Sequence, residues 1–272
     1  MRVSDIKIYR KIRYRRGYGV HSPFVYNLIT KVIEERSSFY AYKEIENFRK
    51  KLLTGNDKLS SITAKETQHP NYGALLFRIV NFFKCRNVLQ IGCSTGVLSL
   101  YLALAFRTHG ECYLLEERLE LLQSLKDYAL AHNLKKFRYI EGDYAESLQK
   151  LYTTFPEADL IFINLHSCSE DVKKIFCLCM PFIKKTSILI LNDITRNKEM
   201  KNLWKKVKEY AQTRISIDLY ALGIVFFDDK LPKRHYKTYF NHGKKQNLHK
   251  KRRRRLYFFS RRKKSSKNQF TH

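Results

Sequence analysis

The chain has 272 residues, of which 44% are hydrophobic and 14% aromatic, and this is ample for the core of one sizeable α/β domain with appendages. No stretch of about 18 uncharged apolar residues occurs, and the basic N-terminus lacks the apolar region of a signal peptide. We therefore expect neither secretion nor membrane spanning.

The net charge of +28 is concentrated at the two ends of the chain. Residues 231–272 contain 16 lysines and arginines and no acidic residue, while residues 1–20 contain seven against one. So basic a tail repels itself and is predicted to be disordered unless an anion orders it. Its aromatic insert (Tyr257, Phe258, Phe259) suits stacking on bases or contact with lipid, so nonspecific nucleic acid or an anionic membrane surface is an expected partner. A solvated tail without a dedicated partner is the alternative.

The cysteines show neither a disulfide nor a zinc pattern. No two of them form a C-x-x-C pair, and most lie within apolar runs. We interpret them as reduced core thiols and expect a cytoplasmic protein. The six are Cys85, Cys93, Cys112, Cys168, Cys177 and Cys179.

The first quarter of the chain is predicted to form a helical cap. Residues 22–37 and 41–54 have helical patterns, and the polar stretch 57–71 is predicted to be a loop that leads into a helix at 72–83. This divides the chain into three parts. They are a basic segment with the cap at 1–64, a catalytic domain at 65–230 and the basic tail at 231–272.

From residue 87 onward, predicted strands alternate with helical stretches until the last two strands follow each other directly. This alternation is typical of a doubly wound, mostly parallel sheet, here with seven strands and a closing hairpin. A helical stripe before the hairpin (Met200, Leu203, Trp204, Val207 and Tyr210) predicts core packing, including the lone tryptophan. The predicted strands are 87–91, 111–115, 137–140, 158–163, 186–191, 214–219 and 222–227.

The most informative segment is NVLQIGCSTGV, residues 87–97, in which an apolar strand runs through two close glycines into a helix. Such a turn lets bare backbone approach a ligand. The spacing of Gly92 and Gly96 is neither that of a dinucleotide fingerprint nor that of a P-loop. Glu116 ends the next strand, about 20 residues beyond the second glycine, where a carboxylate can accept hydrogen bonds from ribose hydroxyls. The alternative is that Glu116 merely opens the following helix.

Further polar residues follow the other predicted strands. Ligands of such sheets bind beyond the carboxyl ends of the strands, so these residues are candidates for chemistry. They are Gly142 and Asp143, Asn164 and His166, and Asn192 and Asp193.

In this order the motifs resemble those of class I S-adenosylmethionine-dependent methyltransferases, more narrowly the catechol/caffeoyl-CoA type of O-methyltransferase. The resemblance spans roughly residues 65–228 and implies the Rossmann-like fold of that family. A leading segment, RGYGVHSPFV at 16–25, is similar to that of a Bacteroidetes subgroup. The motifs are VLQIGCSTG at 88–96, LE at 115–116, EGD at 141–143, DLIFIN at 159–164 and LILNDI at 189–194.

The resemblance implies S-adenosylmethionine as cofactor and gives these residues roles. The turn from Gly92 through Cys93 and Ser94 to Gly96 would pass under the methionyl part. Glu116 would hold the ribose hydroxyls and Asp143 would lie by the adenine. Gln90 and Asn164 complete the expected cofactor contacts.

The sequence departs from the family pattern at three acidic positions, which are Gln90, Asn164 and Asn192 here. An amide keeps the size of a carboxylate but loses the charge that a hard cation favours. Only Asp193 remains among the metal positions that the resemblance implies, so we predict no tightly bound metal.

Without a metal, His166 is a candidate general base, and it joins Asn164 and Asp193 in the expected catalytic set. The alternative for His166 is a loop histidine without a catalytic role. His21, near Tyr18 and Ser22, is a weaker candidate for lining the pocket, by analogy alone.

Two functions from different classes remain open. The first is O-methyl transfer to a small-molecule acceptor without a tightly bound metal. The second is a catalytically impaired protein of the methyltransferase fold that acts as a nucleic-acid or anionic-surface binding module. Direct methylation of nucleic-acid bases is disfavoured, because Asn164 is followed by Leu-His-Ser and not by the Pro-Pro-aromatic motif of amino-methylating enzymes.

Overall fold

The computed structural model describes most of the chain up to residue 241. It contains one eight-stranded sheet, in which β1 to β5 are parallel and β7 runs antiparallel to both β5 and β6. The strand order β3-β2-β1-β4-β5-β7-β6-β8 confirms the doubly wound, mostly parallel sheet with its closing hairpin. The described residues are 9–10, 12–14, 17–54, 58–66, 69–106, 109–155, 157–165 and 172–241.

All seven predicted strands are present, most with ends within a residue or two of the prediction. The apolar runs of the inner strands are buried on both faces, as the strands of a sheet covered by helices require, whereas the edge strand at 137–141 buries only Phe137. The strands are β1 Asn87–Ile91, β2 Glu111–Glu116, β3 Phe137–Glu141, β4 Ala158–Ile163, β5 Ile183–Asn192, β6 Ile215–Asp218, β7 Leu222–Phe226 and β8 Arg234–Lys237.

The eighth strand lies inside the segment predicted to be a disordered tail, so the tail prediction is wrong for residues 231–241. β8 pairs in parallel with β6, and Thr238 and Phe240 after it are buried. The sequence Arg-His-Tyr-Lys hides this strand, because its side chains are mostly exposed at a sheet edge and backbone hydrogen bonds hold it. The rest of the predicted tail, residues 242–272, lies outside the described residues.

The helices include one that the sequence analysis predicted as loop. α3 is polar and buries only Thr63, so its pattern gives no apolar stripe, and it packs on α2. The helices are α1 Pro23–Leu28, continued by a π-turn at Ile29–Ile33, α2 Tyr40–Thr54, α3 Lys58–Glu66, α4 Pro70–Phe83, α5 Val97–Leu104, α6 Leu119–Ala131, α7 Tyr144–Leu151, α8 Val172–Cys179 and α9 Lys198–Glu209.

Two hydrophobic clusters cover the faces of the sheet. One joins the cap helices α1 and α2 to α4, α5 and α6, and the other contains α7, α8 and α9. Met200, Leu203, Trp204 and Val207 of α9 are buried and Tyr210 is partly buried, so the predicted stripe is core. The cap therefore shares its core with the sheet, and residues Met1–His242 form one compact unit.

The cysteines of the described chain are all free, and four of these five are buried. Cys177 is the exposed one, and Cys168 lies outside the described residues. In the part of the chain that was searched, no helix has the length and apolar character needed to cross a membrane.

Candidate cofactor site

The turn between β1 and α5 requires both of its glycines. Gly92 has φ +79°, and a Cβ there would lie 2.4 Å from the backbone oxygen of Asn164. Gly96 has φ +77°, and its Cβ would lie 2.6 Å from Leu125 Cδ2 on α6. A left-handed angle disfavours a side chain, and contacts this short, with backbone at Gly92 and with Leu125 at Gly96, leave no room for one. The turn therefore has backbone without side chains at these two positions, at the carboxyl end of β1.

Glu116 is fully buried at the end of β2, and its carboxylate faces the glycine turn. Its Oε2 accepts a hydrogen bond from the Ser94 N–H at 2.6 Å. Its Oε1 accepts from the Arg118 N–H at 3.2 Å and from Arg118 Nε at 3.1 Å. Glu116 is the last residue of its strand, and α6 begins three residues later. Its carboxylate therefore contacts the glycine turn through Oε2 and the start of α6 through Oε1.

Arg118 links Glu116 to α3, the helix that crosses the predicted end of the cap at residue 64. Its two terminal nitrogens donate to the carboxylate of Glu66, at 2.8 and 2.9 Å. Hydrogen bonds to Glu66, together with the charge of Glu116, raise the pKa of the Arg118 guanidinium above its usual value although burial opposes this. Sequence reasoning missed this link, because Glu66 lies on the unpredicted helix α3, 52 positions before Arg118. The only signal was the Glu-Glu-Arg sequence at the end of β2.

The three amides at the expected acidic positions meet beside Gly92. Asn192 Nδ2 donates to Asn164 Oδ1 at 2.6 Å, and Asn164 Nδ2 donates to Gly92 O at 3.1 Å. Gln90 Nε2 makes a longer contact, 3.4 Å, with the same carbonyl. All three side chains are buried. The structure therefore joins the ends of β1, β4 and β5 through one amide chain.

This amide chain leaves acceptors without partners. Gln90 Oε1, Asn192 Oδ1 and Ser94 Oγ are buried and have no hydrogen-bond partner in the described structure. Buried polar atoms without a partner cost free energy unless a ligand or water satisfies them. These atoms surround the glycine turn, so the site suits a ligand that brings hydrogen-bond donors, such as an ammonium group or hydroxyls.

The same residues fit a divalent metal poorly. Magnesium prefers carboxylate and water ligands, and Asp193 is the one carboxylate at the expected positions. Asn164 Oδ1 already accepts from Asn192, which removes it as a free ligand. Among the residues searched, no group of three His, Cys, Asp or Glu side chains is placed to hold a metal ion. The donor set thus disagrees with a metal-dependent site.

The remaining predicted site residues have separate places. Asp143 caps α7, and its Oδ1 accepts from the Glu146 N–H at 2.9 Å. The buried Cys93 thiol donates to Leu115 O at 3.4 Å, and burial raises its pKa well above the usual value. His21 is exposed before α1, and His166 lies outside the described residues.

Asp193 follows the end of β5 and has φ +53°. Tyr72 lies near it, which the sequence did not predict. Burial, with a smaller contribution from the charge of Asp193, raises the pKa of the Tyr72 hydroxyl. Tyr72 begins the apolar face of α4 and also packs against Phe240. The start of α4 therefore borders the expected methyl-transfer centre.

Solved structures share this fold at low sequence identity. A protein provisionally described as a caffeoyl-CoA O-methyltransferase from Staphylococcus aureus is 17% identical, with a TM-score of 0.53 over 67% of this chain and 91% of that one. An O-methyltransferase from Bacillus cereus in complex with S-adenosylhomocysteine is 15% identical, with a TM-score of 0.55 over 75% and 97%. The tomaymycin-synthesis O-methyltransferase TomG from Streptomyces achromogenes, in complex with S-adenosylmethionine, is 12% identical, with a TM-score of 0.55 over 75% and 94%.

Among curated proteins, none matches the chain. The family comparison does give a match, because the profile of a methyltransferase domain matches residues 83–253, more than half of the sequence. This agrees with the resemblance that the motifs carry and with the order of the strands. The chain belongs to the methyltransferase domain family.

Proposed function

We propose that this chain binds S-adenosylmethionine at the glycine turn and transfers its methyl group to a hydroxyl of a small-molecule acceptor, without a tightly bound metal ion. The observation that carries the proposal is the bare turn at Gly92 and Gly96 with the buried carboxylate of Glu116 facing it. Family membership supports it, as do the S-adenosylmethionine and S-adenosylhomocysteine complexes of proteins with this fold.

The cofactor contacts follow from which atoms are still free to bond. A carboxylate offers about four acceptor positions, and Glu116 uses three, so it has room for a ribose hydroxyl. Gln90 Oε1 and Asn192 Oδ1 are acceptors suited to the ammonium group of the methionyl part. Asp143, at the end of the neighbouring strand β3, is the proposed residue beside the adenine.

The reaction needs alignment more than bond activation. A bound S-adenosylmethionine supplies an electrophilic methyl on a sulfonium. The chain must hold the acceptor oxygen in line behind that methyl and exclude competing water, which is a positioning task. Asp193 and His166 are the proposed groups that take the acceptor proton, and Asn164 is the proposed orienting residue.

The cellular compartment and the division of the chain into parts are also proposals. The free cysteines of the described chain support a reducing compartment, and we propose the cytoplasm. We retain the division into a cap at 1–64, a methyltransferase domain from 65 and a basic tail, with the start of the tail moved beyond residue 241 because β8 is folded.

A second candidate function is binding of nucleic acid or an anionic membrane surface by a catalytically impaired protein. A cluster of cations beside β8 favours it. Burial and the charges of Lys208 and Lys233 lower the pKa of His235, so these groups lie close together. The outer face of α9 adds the exposed residues Lys201, Lys205 and Lys206. Such a surface would attract polyanions in a salt-dependent manner.

Calorimetric titration of the full chain with S-adenosylmethionine and S-adenosylhomocysteine tests the first function, once with magnesium and once with a chelator. We expect binding of equal strength in both. Glu116→Gln should weaken it, whereas Glu120→Gln, an exposed neighbour on α6, should not. Absence of binding at millimolar ligand would sink the cofactor proposal. A magnesium-dependent gain that Asp193→Ala abolishes would overturn the metal-independent reaction.

The second function is tested by comparing the full chain with a form truncated after Asn241, which keeps β8. Binding to RNA and to anionic vesicles is measured at low and high salt. The proposal expects the truncated form to retain part of the salt-dependent binding through the cation cluster of α9 and β8. Equal and negligible binding by both forms would remove this function.

A further inference from the structure

A cavity of about 680 Å³ opens between the cap and the outward face of α4. Its walls come from the loop at 34–38, from Tyr42 and Glu46 of α2, and from residues 239–241 after β8. Ala74 and Arg78 of α4 form its inner wall. No residue of the glycine turn and no member of the amide chain lines it. The cavity is therefore separate from the proposed cofactor site, and its volume is within the range usual for small-molecule sites.

Arg78 is the notable charge of this cavity. It is 7% exposed, and its Nε donates to the carbonyl of Val32 at 2.7 Å. No described carboxylate lies within 4.0 Å of its guanidinium. Burial raises the pKa of the neighbouring Tyr42 hydroxyl, and the charge of Arg78 partly opposes this. A buried guanidinium without a carboxylate is costly, so it favours an anionic ligand.

Two acidic side chains of the cavity walls, Glu46 and Glu35, have hydrogen-bond partners of their own. Glu46 forms an ion pair with Arg49 and accepts a hydrogen bond from the Tyr101 hydroxyl at 3.0 Å. Glu35 accepts from two backbone N–H groups of its own loop, at 2.6 and 2.7 Å, and these bonds, with a smaller contribution from the charge of Arg78, lower its pKa. Among the described residues, Arg78 is thus a buried cation of this cavity without an ion pair within 4.0 Å, whereas Arg36 at the rim is exposed.

The uncharged part of the lining includes several aromatic rings beside small, apolar and amide side chains. Tyr42, Tyr101 and Phe240 present rings, and Ala74 leaves space beside Arg78. Such rings suit an aromatic or apolar ligand body. We propose that this cavity binds a small organic oxyanion, a carboxylate or a phosphate monoester on an aromatic body, with the oxyanion held by Arg78. The site is independent of the methyl-transfer proposal and does not require it.

Fluorine NMR of the full chain tests the site with two probes, 4-fluorobenzoate and 4-fluorophenyl phosphate. We expect saturable line broadening by at least one probe, and the tighter one identifies the oxyanion class. Arg78→Gln, which keeps a donor for the Val32 carbonyl, should weaken binding roughly tenfold or more. The control Arg36→Gln removes an exposed charge at the rim and should change the affinity little.

Three results would overturn the proposal. The first is that neither probe shows saturable broadening. The second is that the neutral 4-fluorobenzyl alcohol binds as tightly as the anionic probes. The third is that S-adenosylhomocysteine displaces the probe, which would place the probe at the glycine turn. Where Arg78→Gln does not fold, Ala74→Leu narrows the cavity without changing a charge. It should abolish probe binding while thermal melting stays unchanged, and full retention of binding by Ala74→Leu would refute the site.

Discussion

Replacing Gly92 by alanine should destabilise the chain far more than its small size suggests. At φ +79° an L-residue pays about 1–2 kcal/mol for the left-handed conformation. The added Cβ would also lie 2.4 Å from the oxygen and 2.9 Å from the carbon of the Asn164 carbonyl. Backbone cannot move aside cheaply there, because the Asn164 N–H donates to Ile91 O at 2.8 Å. This contact adds about 1–3 kcal/mol, so we expect a total of about 2–5 kcal/mol.

Gly19 provides a matched control. It has nearly the same angle, φ +75°, but no heavy atom lies within 4 Å of the position where its Cβ would be. Gly19→Ala therefore carries the conformational cost alone, about 1–2 kcal/mol. Urea denaturation followed by circular dichroism gives the free energy of unfolding of both variants and of the parent chain. A Gly92→Ala loss no larger than that of Gly19→Ala would refute the close approach of backbone at this turn.

Three further perturbations follow from the site. Arg118→Met should cost about 3 kcal/mol because it leaves Glu116 buried without its counter-ion, while Glu66→Gln should cost only about 1 kcal/mol since that pair is partly exposed. Burial lowers the pKa of His69, whose ring caps α4. The contribution of the neutral ring to the free energy of unfolding is therefore full above about pH 6.5 and falls as the pH drops below that value. In denaturation curves, His69→Asn should remove part of this fall. Asn192→Asp should lower the melting temperature and make it rise with added magnesium, whereas we expect no such rise in the parent chain.

Each of these has a result that contradicts it. Arg138→Met breaks a surface pair with Glu111 and should cost less than about 1 kcal/mol, so an equal loss for Arg118→Met would mean that its bonds are ordinary surface bonds. If the free energy of unfolding falls equally at low pH in the parent chain and in His69→Asn, groups other than His69 cause that fall. A magnesium response of the parent chain as strong as that of Asn192→Asp would contradict the missing metal site.

Most of the fold was predictable because its strands are buried and apolar. β1, β4 and β5 each contain a short, mostly apolar run between polar turns, a pattern that depends on neighbouring residues alone. α3 and β8 have no such pattern. The first is held by α2 and by the ion pair of Glu66, and the second by backbone bonds to β6, which are long-range interactions that local hydropathy does not reveal.

At the site, too, some features were predictable from the sequence and others were not. The two glycines, Glu116 and the amides at 90, 164 and 192 were predictable, because strand ends of a parallel sheet converge on one edge. The hydrogen bonds among them were not, since these depend on side-chain orientation. The contribution of α3 through Glu66 and Arg118 was also missed, because it joins residues that are far apart in sequence. The role of Asp143 beside an adenine stays a prediction.

Hydrogen exchange of the full chain with and without S-adenosylhomocysteine tests most directly whether the glycine turn is the cofactor site. The account predicts that the ligand slows exchange of backbone amides at residues 92–97 and at 116–118, where the turn meets the Glu116 carboxylate. We predict little change in amide exchange in the loop at 34–38, which borders the cavity beside Arg78. Saturating ligand that leaves the amides of the turn unprotected, or that protects only the 34–38 loop, would contradict it.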